Sequence, residues 1–184
     1  LFLHLDINLQ RVASEEMGDF NGAVVALDPK TGGVLAMVSK PDFDPNEFVL
    51  GISRKKYAVL RDSPDMPLFN RSLRGRYPPG STLKPFIALA GLEYGVINER
   101  SKTFCPGWYT LPGQDHRYRC WKAHGHGHMD LKASISQSCD VYFYDLANTL
   151  GIDRIHSFLD LFRFGRLTEI DLPGESKGLS PSKE

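Results

Sequence analysis

The chain has 184 residues, of which 41% are hydrophobic and 24% are charged, and its 22 basic and 22 acidic residues give a formal net charge of zero. This composition is typical of a soluble globular domain with a core of its own. The neutral balance excludes a general electrostatic attraction to nucleic acid or anionic lipid, and no run of about 18 apolar residues predicts a membrane span.

The first part of the chain predicts a helix followed by a β-hairpin. Leu3–Met17 repeats apolar residues with helical spacing. Ala23–Leu27 and Val34–Val38 are apolar strand candidates, and the turn-forming residues 28–33 between them favour a hairpin. A short helix is predicted near Lys55–Arg61.

Four helices and one long irregular segment are predicted in the second part. Phe86–Tyr94 indicates an apolar helix that ends near Gly95. Residues 104–129 hold several glycines and prolines, which exclude a long helix or strand. Helices are then expected over Asp130–Ser136, Cys139–Gly151 and Ile152–Phe164. The chain opens without a basic, signal-like start, and its polar ending suggests an excised or partial chain.

The stretch Tyr77–Phe86 carries the first chemical signal. Two prolines and a glycine form a stiff, turning entry to the helix, so Ser81 should lie at the helix N-terminus with Lys84 one turn further on the same face. A serine hydroxyl becomes a good nucleophile only beside a base, and a neutral lysine amine can be that base. The alternative is a serine N-cap followed by a solvated lysine. The rigid entry and the apolar helix favour the catalytic interpretation.

A second polar group falls at the break between two predicted helices. Ser138 and Asp140 are two residues apart there, so a hydroxyl and a carboxylate can face one cleft. The hydroxyl could relay a proton, and the carboxylate could hold an amine by hydrogen bonding. An N-cap cluster for the following helix is the alternative.

Taken together, the two motifs resemble the S-x-x-K and S-x-N or S-x-D motifs of penicillin-binding proteins and serine β-lactamases. Asn70–Phe86 is similar to the class B, monofunctional transpeptidases. Ser138-Cys139-Asp140 resembles the penicillin-binding protein 2 type of the cell-elongation machinery. The resemblance runs from Leu5 to the end of the chain.

Roles for four residues follow from this resemblance. It implies that Ser81 is the acylated nucleophile, that Lys84 is its general base and that Ser138 is the proton-shuttling hydroxyl. Asp140 takes the substrate-contacting third position, which is asparagine in the broader pattern. The backbone N–H of Ser81 would be half of an oxyanion hole.

One departure from the family pattern concerns its K-T-G motif. Lys30-Thr31-Gly32 matches the letters but precedes Ser81, so it is interpreted as the hairpin turn. The family's K-T-G strand, which lies downstream of S-x-N, is expected outside this chain. The resemblance therefore implies the front part of a transpeptidase domain over residues 1–184, inactive by itself, with the C-terminal part absent. The implied fold is α/β and serine β-lactamase-like: a mixed sheet that includes the hairpin, packed with helices, and the Ser81 helix at its centre.

The implied activity is that of a serine-type D-Ala-D-Ala transpeptidase or carboxypeptidase, a peptidoglycan D,D-transpeptidase acting in cell elongation. Its partners would be peptidoglycan stem peptides, β-lactam antibiotics, a glycosyltransferase and elongation-complex proteins, with no nucleic acid. The resemblance places it at the periplasmic face of the cytoplasmic membrane, through an anchor absent from this chain. The alternatives are a serine β-lactamase and a non-catalytic, zinc-stapled sensor or scaffold module that binds penicillin.

The chain has only three cysteines, and four histidines lie among them in or beside the segment 104–129. Thiolates with an imidazole are the ligand set of tetrahedral zinc, and a long irregular segment is uncommon unless it is functional or tied down. We therefore expect a structural zinc site without an open position, formed by Cys105, Cys120, His126 and Cys139. His124 and His128 are rivals for the fourth ligand. One disulfide plus a free thiol, or three unrelated thiols, remain alternatives.

Overall fold

The structure, a computed structural model, describes residues 2–183 and divides them into two units. The first unit holds residues 2–76 and Glu169–Lys177, and the second holds Tyr77–Thr168 and residues 178–183. Every residue predicted to carry chemistry lies in the second unit.

The described part of the first unit contains four helices and one hairpin. In chain order these are α1 (Ile7–Met17), β1 (Gly22–Leu27), β2 (Val34–Lys40), α2 (Asn46–Val49), α3 (Arg54–Arg61) and α4 (Arg71–Arg74).

Helix α1 begins later than the predicted Leu3 because Asp6 caps it. The Asp6 carboxylate accepts the backbone N–H groups of Asn8 and Leu9 at 2.9 and 3.1 Å, which are typical N-cap bonds. On β2, the backbone of Met37 exchanges two hydrogen bonds with the Gln10 side chain, at 2.9 and 2.7 Å. These bonds fasten α1 to the hairpin.

The predicted hairpin is confirmed. Strands β1 and β2 pair in antiparallel register from Gly22 opposite Lys40 to Leu27 opposite Val34. In the turn, Asp28 accepts the Lys30 backbone N–H at 2.9 Å and the Thr31 hydroxyl at 2.8 Å. The Lys30-Thr31-Gly32 segment is therefore a turn, as its position in the sequence predicts.

A short 3-10 turn, Gly80–Leu83, opens the second unit and is followed by its helices and strands. These are α5 (Lys84–Glu93), β3 (Thr103–Cys105), β4 (Trp108–Tyr109), β5 (Tyr118–Arg119), β6 (Gly127–Met129), α6 (Leu131–Ser136), α7 (Asp140–Leu150) and α8 (Ile152–Leu161). The predicted helices are all present, although α8 ends at Leu161 rather than Phe164.

Helices α5, α7 and α8 form the core of the second unit by packing their apolar faces together. Buried side chains from them are Ile87, Ala88, Ala90, Val141, Tyr142, Phe143, Leu146, Leu150, Ile155, Phe158 and Leu159. Gly91 on α5 is one point of close approach, because a Cβ there would lie 2.9 Å from side-chain atoms of both Ile97 and Leu146. The burial of α5 agrees with the predicted central position of the Ser81 helix.

Residues 2–183 contain three separate two-stranded sheets, β1–β2, β3–β6 and β4–β5. Within these residues the hairpin strands pair only with each other, so the expected larger sheet is not formed there. Strands β3 to β6 are only two or three residues long, in a segment that glycines and prolines interrupt.

In the described part of the chain, no helix has the length and apolar character that crossing a lipid bilayer requires.

Candidate active site

The entry to α5 places Ser81 at the start of a helix, as the sequence predicts. Gly80 adopts a φ of +55°, a left-handed conformation that glycine takes without strain. The Thr82 hydroxyl donates to the Pro79 carbonyl at 2.6 Å and closes the 3-10 turn. Lys84 then begins α5 one turn after Ser81.

Ser138 lies in the tight turn between α6 and α7. Its φ is +50°, an unusual conformation for a residue with a side chain, which costs about 1–3 kcal/mol. Two backbone bonds hold the turn: Ser138 N–H donates to Ile135 O at 3.1 Å, and Cys139 N–H donates to Ser134 O at 2.9 Å. The turn therefore presents Ser138 at a fixed angle while α7 begins at Asp140.

The amine of Lys84 joins these two parts of the chain. Its Nζ donates to the carbonyl and the hydroxyl of Ser138 at 2.9 and 3.0 Å, and to Asp140 Oδ1 at 2.6 Å. The side chains of Lys84 and Asp140 are only 12% and 22% exposed. Three acceptors around one nitrogen match the three donors of an ammonium group.

Ser138 bridges Lys84 and Ser81. Its hydroxyl donates to the Ser81 oxygen at 2.9 Å while it accepts from Lys84 at 3.0 Å. No side-chain hydrogen bond joins Ser81 directly to Lys84 in the described part of the chain. The four predicted residues are thus brought together, but the contact between nucleophile and amine runs through a third side chain.

Asp140 is held as a carboxylate. Burial raises the pKa of this carboxyl, but the hydrogen bonds from Lys84 and from the backbone N–H of Trp121 outweigh burial and keep the pKa below its ordinary value. The Trp121 N–H reaches Asp140 Oδ2 at 3.0 Å, so each carboxylate oxygen has its own donor.

Trp121 is a site residue that the sequence reasoning missed. Its indole Nε1–H donates to the carbonyls of Gln137 and Ser138 at 3.0 and 3.1 Å. Its only sequence signal is its position beside Cys120, because the partners lie 16 to 19 residues away in the chain.

A second group of side chains lies beside the Ser138 turn. Its members, called the Cys/His cluster below, are Cys105, Cys120, His126 and Cys139. Their ligand atoms all lie within 4.8 Å of one another, and the three cysteines are buried and not joined by disulfides. The cluster could therefore hold a metal ion, and the disulfide alternative is not formed.

Two distances within the Cys/His cluster agree with binding of one metal ion by both ligands of each pair. His126 Nδ1 lies 3.6 Å from Cys105 Sγ and 3.5 Å from Cys120 Sγ. Zinc bonds of about 2.3 Å to sulfur and 2.0–2.1 Å to nitrogen place two such ligands about 3.6 Å apart. The rivals His124 and His128 are exposed and stand outside the cluster.

Protonation in the cluster follows from its burial. Burial, followed by the charge of Lys122, lowers the pKa of His126, which keeps the imidazole neutral as a ligand must be. Burial raises the pKa of the Cys139 thiol to about 12. A bound cation would be needed to hold the thiolate form at neutral pH.

Two glycines let the segment 104–129 fold tightly around the cluster. Gly107 (φ +102°) and Gly125 (φ +77°) are left-handed, and a Cβ on either would lie 2.2 or 2.1 Å from the backbone oxygen of Ala123 or Cys105. Only glycine fits such close backbone contacts.

Comparison with known proteins identifies relatives over the whole chain. The family model described as "Penicillin binding protein transpeptidase domain" matches residues 22–184. A curated relative, peptidoglycan D,D-transpeptidase MrdA of Acinetobacter baumannii, is 50% identical over all of this chain and 27% of its own length. The chain thus spans little more than a quarter of that relative.

Solved structures show the same likeness. A crystal structure of Pseudomonas aeruginosa PBP2 in complex with WCK 5153 superposes with a TM-score of 0.92 at 54% identity, covering 98% of this chain and 41% of that one. A complex between PBP2 and MreC from Helicobacter pylori superposes with a TM-score of 0.90 at 36% identity, covering 96% and 33%. The mixed helix and sheet fold is therefore shared with these structures.

Proposed function

Because this chain belongs to the penicillin-binding protein transpeptidase domain family, we propose that it is the nucleophile-bearing part of a peptidoglycan D,D-transpeptidase of the elongation machinery. The observation that carries the proposal is the hydrogen-bonded series from Ser81 through Ser138 to Lys84. The name of the Acinetobacter baumannii relative supports the same reaction.

Acylation proceeds from Ser81. With the Lys84 amine neutral, the Ser81 hydroxyl passes its proton to the Ser138 oxygen, and Ser138 passes its own proton to Lys84. Ser81 Oγ forms a bond to the penultimate D-Ala carbonyl carbon of a stem peptide. The C–N bond to the terminal D-Ala breaks, and the leaving amine takes a proton back along the same series.

Transfer to the acceptor reverses these proton movements. The amine of a neighbouring stem peptide loses a proton to the series and attacks the ester carbon, which frees Ser81 and forms the cross-link. The Ser81 backbone N–H stabilises the oxyanion in both steps, and a single donor of this kind is worth about 10²–10³ in rate. β-Lactams acylate the same serine because their strained amide takes the place of the D-Ala-D-Ala bond.

A fluorescent penicillin tests this proposal in the full-length protein. Wild-type protein should retain covalent label on Ser81, Ser81→Ala should lose it, and Ser136→Ala should keep it, since the exposed Ser136 hydroxyl contacts only the Ala133 carbonyl among the described residues. Release of the label within seconds would favour a β-lactamase instead. Loss of the label in Ser81→Ala together with full support of cell growth by that variant would favour a scaffold role.

The ligands, partners and location of the protein follow from the same proposal. Stem peptides and β-lactams are its ligands, and a glycosyltransferase and other elongation proteins are its partners. The Helicobacter pylori complex of PBP2 with MreC supports such an assembly. Its place is the periplasmic face of the cytoplasmic membrane, where peptidoglycan is cross-linked.

The Cys/His cluster binds a structural zinc ion in this proposal. Three sulfurs and one imidazole fill a tetrahedron, so no open position is left for catalysis. Metal analysis of the full-length protein should find one zinc per chain, with a lower content in Cys120→Ser and an unchanged content in His128→Ala. Less than one zinc together with a Cys105–Cys120 disulfide in mass spectrometry would contradict the assignment.

A further inference from the structure

We infer that Trp121 is a positioning residue for the proposed acyl transfer, acting through its indole N–H on the turn that presents Ser138. This inference rests on the proposed function. It concerns a residue that contacts neither Ser81 nor Lys84 by a hydrogen bond within residues 2–183.

The indole N–H is shared between two neighbouring carbonyls of the turn. It lies 3.0 Å from the Gln137 oxygen and 3.1 Å from the Ser138 oxygen. These oxygens flank the residue whose φ is +50°. One donor that holds both carbonyls fixes the two peptide planes on either side of the Ser138 side chain.

This fixation matters because the turn stores strain at Ser138. A left-handed residue with a side chain relaxes unless its surroundings hold it. Relaxation would rotate the Ser138 hydroxyl away from its position between Ser81 and Lys84. It would also move the Ser138 carbonyl, which accepts from Lys84 at 2.9 Å.

Burial does not explain why a tryptophan occupies this position. Trp121 is 66% exposed, so its ring contributes little by leaving water. All three hydrogen bonds that Trp121 makes among the described residues instead reach the Gln137–Asp140 segment, two from the indole and one from the backbone N–H. The contribution of Trp121 therefore comes from the hydrogen bonds of its N–H groups rather than from burial of its apolar ring.

The indole also links the turn to the Cys/His cluster. Trp121 follows Cys120 directly, and its ring lies edge-on to His126 with the centroids 5.3 Å apart. The segment that holds the cluster therefore sets the direction of the indole N–H, and the indole sets the turn.

The experiment uses the full-length protein with the variants Trp121→Phe and Trp108→Phe. The second is a matched control, because Trp108 lies in the same segment, stacks on Arg117 and makes no hydrogen bond to the turn within residues 2–183. A fluorescent penicillin measures the acylation rate constant and the dissociation constant of the non-covalent complex separately. Zinc content and Tm are measured on the same samples.

Trp121→Phe should lower the acylation rate constant by about 10- to 100-fold, the range expected when a catalytic group is misplaced by about an ångström. The dissociation constant, zinc content and Tm should stay at the values of Trp108→Phe. An acylation rate within twofold of the control would overturn the inference, and so would a fall matched by loss of zinc or of Tm.

A second variant tests the same inference if phenylalanine at position 121 disturbs the fold. Benzothienylalanine at position 121 keeps the shape of the indole and replaces only its N–H by sulfur, so it should reproduce the slow acylation at full zinc content. Normal acylation by this variant would remove the role of the N–H. Failure of the wild-type protein to take the label at all would instead reject the proposed function.

Discussion

Replacing Asp140 by asparagine should destabilise the folded protein at neutral pH. Asp140 Oδ1 accepts from Lys84 Nζ at 2.6 Å, and Asp140 Oδ2 accepts from the backbone N–H of Trp121 at 3.0 Å. Asparagine offers only one oxygen and carries no charge, so one of these two donors loses its acceptor.

The size of the loss follows from the burial of the pair. The side chains of Lys84 and Asp140 are 12% and 22% exposed, so solvent replaces a lost hydrogen bond only in part. A donor left without an acceptor in such a place costs about 1–3 kcal/mol. The free energy of unfolding should therefore fall by about that amount in Asp140→Asn.

The assay is the free energy of unfolding, measured on the full-length protein at neutral pH. Asp145→Asn is the matched control, because Asp145 lies on the same helix and accepts the Thr103 hydroxyl rather than a lysine. A loss in Asp140→Asn that is no larger than the loss in this control would refute the role given to Asp140.

The pKa of the same carboxylate predicts how the stability of the protein depends on pH. The pKa of Asp140 is lower in the folded protein than its ordinary value of 3.8. A group whose pKa is lowered by folding stabilises the protein above its unfolded pKa, and this stabilisation is lost as pH falls through the folded pKa. The Tm of wild type should exceed that of Asp140→Asn at neutral pH, and the difference should close below about pH 4.

Two further predictions concern packing, and thermal unfolding checks both. Gly125→Ala should lower the free energy of unfolding by about 3 kcal/mol or more, because the new Cβ would lie 2.1 Å from a carbonyl oxygen. Gly113→Ala, with a similar φ of +76° and open space around it, should lose only about 1–2 kcal/mol; equal losses would contradict the close-contact argument. Leu146→Ala, at 3% exposure, should lose about 2–5 kcal/mol. Leu161→Ala, at 73% exposure, should stay within about 0.5 kcal/mol of wild type, and a comparable loss there would show that the core is placed wrongly.

Local signals in the sequence predicted the elements well. The residues around Asp28 predicted the hairpin turn, and Pro78 and Pro79 predicted the entry to the Ser81 helix. The predicted helix Asp130–Ser136 is α6, which Asp130 caps through the Ala133 N–H at 2.8 Å. Each depends on hydrogen bonds or backbone limits within a few residues, which a sequence displays directly.

Features that depend on distant parts of the chain were not predictable in the same way. The Ser138 hydroxyl enters between Ser81 and Lys84 only because α7 packs against α5, and no local pattern marks its left-handed backbone. The Trp121 bonds likewise require the segment 104–129 to fold back on the turn. The Cys/His cluster was predictable in part. The sequence shows the cysteines and histidines that could be ligands, but it does not show that the rival histidines are exposed.

The acceptors of Lys84 come from residues 54 to 56 positions further along the chain. A nascent chain that has left the ribosome only as far as α5 therefore carries the S-x-x-K sequence without any of its partners. Reactivity toward penicillin should therefore not appear before α7 has been made and has docked on α5, because Lys84 has none of these acceptors until then. Penicillin labelling of ribosome-stalled chains of increasing length would then report at which chain length this unit folds.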